Sequence, residues 1–233
     1  MADEPLSNWP YNLAKLPEAK LRDIGFVTVM ASGVERILDF IIIDLLETKT
    51  SIATIVVAEM GVAGKIDLAH SLLHRRFGKK HWFHERAMLI LEYYAEVVTI
   101  RNDLAHGVVI DSPNFSGEAV MQKYKSRRKK GEINVITVDI SDQMLSDYSD
   151  AFATIHLCMS YLAGSLYVFE QIQENAPGNM LRSSGHEEAH IDNRLGKFNE
   201  VVPIAEIKDR IDAIRKHRRG EKVILNVKRR EIL

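Results

Sequence analysis

A single cysteine, Cys158, leaves no partner for an internal disulfide and no Cys-x-x-Cys pair for a zinc site or redox centre. A reducing, cytoplasmic setting is the expectation that follows. Glycine and proline are also scarce, at 13 and 6 residues, which argues against a loop-rich all-β chain. Long hydrophobic runs are lacking: the stretches over 37–46 and 52–63 are too short for a bilayer span and carry charged residues, so no membrane partner is expected. The first residues, Met1-Ala2-Asp3-Glu4, lack the basic start of a signal peptide. There is no glycine-rich phosphate loop and no recognisable Ser-His-Asp spacing, and no cofactor is expected.

What is present fits a globular protein, with 46% hydrophobic and 27% charged residues in 233 positions. The net charge of −1 gives no global reason to bind nucleic acid, but the charge is unevenly spread. Lys123, Lys125, Arg127, Arg128, Lys129 and Lys130 fall in one stretch without an acidic residue, and the segment 203–233 holds ten Lys and Arg against five Asp and Glu. Such local patches suit phosphate contacts even where the sum is neutral.

Four long helices are predicted. The first starts after Leu16-Pro17-Glu18, since proline suits the first helical position and an acidic residue complements the positive helix end. Its apolar stripe is Ile24, Val27, Ala31, Val34, Leu38, Ile41 and Leu45. The second covers 65–77 with Ile66, Ala69, Leu72 and Leu73 on one side, and ends at a break over 78–81. The third covers 85–106, marked by Leu89, Tyr93, Glu96 or Val97, and Ile100, with Gly107 placed to stop it. Ser141-Asp142 reads as the N-cap of the fourth, which runs to about Glu174. The run 51–60 has a strand-like content of β-branched residues, yet its periodicity decides nothing between strand and helix. Residues 108–110 and 133–138 are predicted as two short strands flanking a polar, basic connection. A helix built on Ile204, Ile207, Ile211 and Ile214 is expected near the end. The organisation is therefore a mainly all-α domain over 1–174 with a small β-hairpin, a polar linker or loop over 175–202, and a basic helix and tail over 203–233.

The chemistry concentrates at the end of the third helix, in Arg101-Asn102-Asp103-Leu104-Ala105-His106-Gly107. Positions i and i+4 share a helix face, which puts Asn102 and His106 together, with Arg101 on the adjacent face and long enough to swing toward them. The Arg-x4-His spacing alone says little, because Arg76 and His81 share it across the break at Gly78. Two readings of the trio stand side by side. Basic residues in a last turn cap free carbonyls. Equally, a planar cation, an amide and an imidazole suit a phosphate: arginine matches two oxygens at once, and histidine exchanges protons near neutral pH.

The stretch 100–107, placed after a Lys65-Ile66-Asp67 helix and before a β-hairpin and another long helix, resembles the HEPN superfamily over roughly residues 18–174. The resemblance implies an up-and-down four-helix bundle that forms a homodimer with its motif helices facing each other. It implies a metal-independent endoribonuclease acting on RNA, a toxin or defence effector, with Arg101, Asn102 and His106 as site residues and 2′,3′-cyclic phosphate product ends. The alternative is a non-catalytic HEPN binding or scaffold protein. An antitoxin or regulatory protein is a further expected partner. Small toxins of the family paired with a nucleotidyltransferase carry a Tyr shortly after the His, whereas Gly107-Val108-Val109 stands here, so that pairing is not implied.

Other residues carry open alternatives. His70 and His74 have metal-ligand spacing but lack the glutamate of His-Glu-x-x-His and an identifiable third ligand, so no metal is expected. His81-Trp82-Phe83-His84 offers either a base-stacking platform or a hydrophobic contact at the start of a helix. The six basic residues of 123–130, and likewise 215–219, suit RNA or solvent equally. Glu35 sits beside the first helix's core stripe, where Arg101, Arg36 or a surface lysine are candidate partners.

Overall fold

A computed structural model describes residues 17–79, 81–106, 108–111, 119–127, 132–139, 141–175 and 204–218. Within these the protein is mainly helical: α1 (Glu18–Leu45), α2 (Thr50–Ala58), α3 (Val62–Phe77), α4 (Trp82–His106), α5 (Asp142–Asn175) and α6 (Ile204–Arg218). Three strands, β1 (Val108–Asp111), β2 (Ala119–Arg127) and β3 (Glu132–Asp139), lie between α4 and α5. The linker residues 175–202, apart from Asn175 at the end of α5, and the tail beyond 218 lie outside the described residues.

The helices form where the apolar periodicity requires. On α1, Val27, Ala31, Val34, Leu38, Ile41 and Leu45 are buried at threes and fours, joined by Ile42. Burial of that stripe, more than intrinsic propensity, stabilises such a helix. On α4, burial falls on consecutive pairs, Ile90 with Leu91, Tyr93 with Tyr94 and Val97 with Val98, so the helix is covered on more than one face. The run over 51–60 is settled as helical in α2 despite its β-branched content. Ala53 and Val57, one helical turn apart, are its buried residues, and that burial overrides local preference. Ile52, Ile55 and Val56 remain exposed.

The ends are fixed by local chemistry. Gly78 follows α3 with φ 75°, a left-handed conformation that other residues adopt at a cost, and its N–H donates to the His74 carbonyl at 2.9 Å. Ser141 caps α5: its hydroxyl accepts the Met144 N–H at 3.1 Å. The capping residue of α4 is His81, whose Nδ1 accepts the Phe83 N–H at 3.2 Å while its carbonyl accepts from Glu85 N at 3.3 Å.

The strands make one antiparallel meander in the order β1-β2-β3. Val108 pairs with Gln122 and Asp111 with Ala119; Val120 pairs with Asp139 and Arg127 with Glu132. The expected basic connection between two strands is thus itself the central strand over its first part, giving three strands in place of a two-stranded hairpin.

By backbone contacts the chain divides into two compact units. One comprises Met1–Val29 and Val98–Asp150, the other Met30–Val97 and Ala151–Leu233. In the first, Lys20 of α1 reaches Asp142 of α5 at 3.5 Å, and Leu104, Leu145 and Tyr148 are buried. In the second, α6 contributes Ile207, Ile211 and Ile214, each nearly fully buried. There the Tyr93 hydroxyl donates to the Ala151 carbonyl at 3.4 Å, linking α4 to α5.

Candidate functional site

Arg101 and Asn102 occupy the penultimate turn of α4, both half-buried. The Arg101 NH1 donates to the Asn102 Oδ1 at 2.9 Å. An amide oxygen held this way leaves the Asn102 NH2 as the free end of that side chain's hydrogen-bonding capacity, and leaves the other guanidinium donors for an anion. Of the swing expected toward Asn102 and His106, the part toward Asn102 is present. His106 is the last residue of α4, one helical turn beyond Asn102, and Val108 opens β1 two positions on. The His106 side chain and Gly107 lie outside the described residues.

Lys123, Lys125 and Arg127 occupy alternate positions of β2, in register with Ile136, Asn134 and Glu132 of β3. Alternate positions of a strand belong to one sheet face, so the three basic residues form a row about 13 Å from first to last at the usual rise per residue. Arg128, Lys129 and Lys130 lie outside the described residues. The motif turn of α4, β1 and β2 all belong to the first compact unit.

The other candidates resolve differently. Arg76 and His81 are separated by the end of α3 and the start of α4; Arg76 lies 3.7 Å from Glu47, and His81 serves as a cap. Glu35 pairs with a lysine of the same compact unit. Its carboxylate accepts a 2.8 Å hydrogen bond from Lys65 of α3, whose ammonium also lies 2.8 Å from Asp39. The lysine is buried, with a side chain 6% exposed, and so is not the surface lysine that stood among the three candidate partners. Burial opposes the Lys65 charge, but the two carboxylates more than offset it, so it titrates above an ordinary lysine. Two acidic residues four apart beside an apolar stripe, Glu35 and Asp39, are the signal in the sequence that could have found this cluster.

Arg215 is likewise engaged. Its NH2 donates to Glu92 and its Nε to Glu96, each at 2.8 Å, clamping α6 onto α4. The neighbouring Arg210 donates twice to Glu206, at 2.9 and 3.3 Å. Arg215 thus ties α6 to α4, while the Arg210 pair lies within α6 itself; Lys216 is exposed. Cys158 is fully buried, and desolvation pushes its thiol up to about 12, far from nucleophilic use.

His70, His74 and His84 gather between α3 and α4. The His74 and His84 rings meet edge-on with centroids 5.4 Å apart, and burial followed by the neighbouring imidazoles His74 and His70 holds His84 below the usual histidine range. Among the described residues no group of three or more His, Cys, Asp or Glu is arranged to hold a metal ion. Nor is any described helix long and apolar enough to cross a membrane. Phe83 is buried against Phe77, with ring centroids 4.8 Å apart, which is the hydrophobic contact at the start of the helix. The Trp82 side chain lies outside the described residues.

No family model matches the chain, and neither a curated protein nor a solved structure does so.

Proposed function

We propose that this protein is a metal-independent endoribonuclease of HEPN type, working as a homodimer built on a four-helix bundle. The observation that carries the reading is the Arg101–Asn102 hydrogen bond at the end of α4, one turn before His106. The row Lys123, Lys125 and Arg127 on the central strand of the adjoining sheet adds a sequence-independent attraction for an RNA backbone.

In this reaction the RNA supplies its own nucleophile. The 2′-hydroxyl oxygen attacks the adjacent phosphorus, the bond to the 5′-oxygen breaks, and a 2′,3′-cyclic phosphate and a 5′-hydroxyl result. One His106 takes the 2′-hydroxyl proton, and the His106 of the second copy gives a proton to the departing 5′-oxygen. Arg101 binds the non-bridging oxygens, where charge accumulates in the transition state. Asn102 holds the guanidinium in place. Every step uses proton transfer and charge stabilisation, so the reaction runs without a divalent ion.

The test is purified protein with RNA in EDTA, with product ends identified chemically. Cyclic-phosphate ends are expected, and His106→Ala and Arg101→Ala should each abolish cleavage with an unchanged circular dichroism spectrum. Cleavage undiminished in both variants refutes the mechanism. RNA binding without cleavage in the wild-type chain would instead make it a binding module on the same fold.

A further inference from the structure

We propose that the junction between α3 and α4 is an acid-sensitive latch, closed while His81 and His84 are neutral and opened when they take up protons.

The first support is a hydrogen bond with a required direction. His81 Nδ1 accepts the Phe83 N–H at 3.2 Å, so this nitrogen carries a lone pair and no proton; the assignment follows from the donor facing it. Protonation turns the acceptor into a donor pointed at a donor, and removes the side-chain cap of α4 at the same stroke. Both His81 and His84 also stand at the amino end of α4, where the helix's own positive pole disfavours a cation.

The second support is crowding. His84 is 8% exposed, its ring against that of His74 on α3, with His70 and His81 also close enough to repel its charge. One turn before His74, His70 has a buried Nε2 without a hydrogen-bond partner among the described residues. Four imidazoles therefore share one junction, and each proton that enters makes the next more costly.

The acidic groups within reach do little to offset this. Glu85 acts on His84 from α4 itself, and Asp67 acts on His70 from α3, both from exposed positions where solvent screens them. Glu92 of α4 also acts on His70, but its carboxylate already accepts from Arg215 of α6. A proton on His70 would compete for Glu92 and loosen that clamp too. Of the cations on α3 and the following turn, Arg76 is taken up by Glu47, 3.7 Å away.

The direction of the effect is fixed by the folded state holding His70 and His84 below the ordinary value of 6.5. Their contribution to the closed form is complete above that value. It is lost as pH falls through it toward the lower folded value. Opening would uncover Phe83, buried against Phe77.

The experiment is hydrogen–deuterium exchange on the full chain at about pH 7.5 and about pH 5.5, with intrinsic rates corrected, bracketing the ordinary histidine range. Protection over residues 74–88 should fall by about tenfold or more, the equivalent of one unit of proton linkage, while residues 151–166 of α5 keep theirs. His81→Asn supplies an amide cap at any pH and should shrink the loss; His81→Asn with His84→Gln should shrink it further, leaving only the part that His70 contributes. Equal protection at both pH values in the wild-type chain overturns the proposal. So does an undiminished acid loss in His81→Asn, a half-exposed position where the single variant serves if the double one fails to fold.

Discussion

The Arg101 guanidinium is tied to the side chain that follows it in the chain, its NH1 2.9 Å from Asn102 Oδ1. Adjacent residues on a helix point roughly a hundred degrees apart, so this bond requires the arginine to bend round the helix. The bend holds the cation against the Asn102 amide.

That relationship separates two substitutions at one position. On the proposed endoribonuclease reading, Asn102→Ala frees Arg101 and should weaken cleavage modestly. Asn102→Asp places a carboxylate on the guanidinium and withdraws it from phosphate. A charge-assisted bond of this kind is worth about 1.5–3 kcal/mol, so roughly a tenfold loss or more in kcat/KM is expected of the Asp variant. Steady-state kinetics on a short RNA decides it. An Asp variant as active as wild type would show that the bond positions nothing.

Lys65 is the second case. Its ammonium is buried between Glu35 and Asp39 at 2.8 Å from each. Lys65→Met keeps the volume but strands two carboxylates that are each about a quarter exposed. Loss of one partner from a buried pair costs about 3–5 kcal/mol, and partial solvation of the acids lowers this to about 2–3 kcal/mol. Urea unfolding followed by circular dichroism measures it. The triple change to Met at 65 with Gln at 35 and Asn at 39 should recover most of the loss, since no uncompensated charge remains.

Attachment of α6 should depend on its isoleucines more than on its ion pairs. Ile211 is 3% exposed, and Ile211→Ala is expected to cost about 2–4 kcal/mol through lost burial and the cavity left behind. Arg215 is 42% exposed at its side chain, so Arg215→Ala should cost less than about 1 kcal/mol despite two short hydrogen bonds. Thermal unfolding of the two variants side by side tests the order. A larger loss for Arg215→Ala would reverse the account.

At the start of α5, Ser141→Ala removes the hydroxyl that accepts the Met144 N–H. The expected destabilisation is about 1 kcal/mol, and Ser141→Asp should restore it. Equilibrium denaturation of both variants checks the pair, and equal loss in Ala and Asp would count against a capping role.

Periodicity made the long helices legible, because a buried stripe leaves the same mark in sequence and in structure. Val27 to Leu45 on α1 and Ile207 to Ile214 on α6 are such stripes. Two elements were obscured for opposite reasons. Thr50–Ala58 is apolar nearly all round, so its nine residues hold no stripe, and only the tertiary burial of Ala53 and Val57 tells it from a strand. In β2, the basic charge of Lys123, Lys125 and Arg127 drew attention from their alternation, which is itself the period of a strand. At the candidate site, Arg101 and Asn102 could be placed from spacing alone. The partners of Glu35 and Arg215 could not, since Lys65 lies 30 residues from the first and Glu92 123 from the second. Only packing selects such pairs.

Cys158 has a practical consequence. The chain's one thiol is sealed inside α5 and held almost wholly protonated at neutral pH. The native protein should therefore ignore maleimides, and a cysteine introduced at an exposed position such as Ala105 would be the only one to react. A spin label there would sit within the motif, at an exposed position between Leu104 and His106. If two copies associate as proposed, echo distances between the labels would report directly how the ends of their α4 helices are spaced.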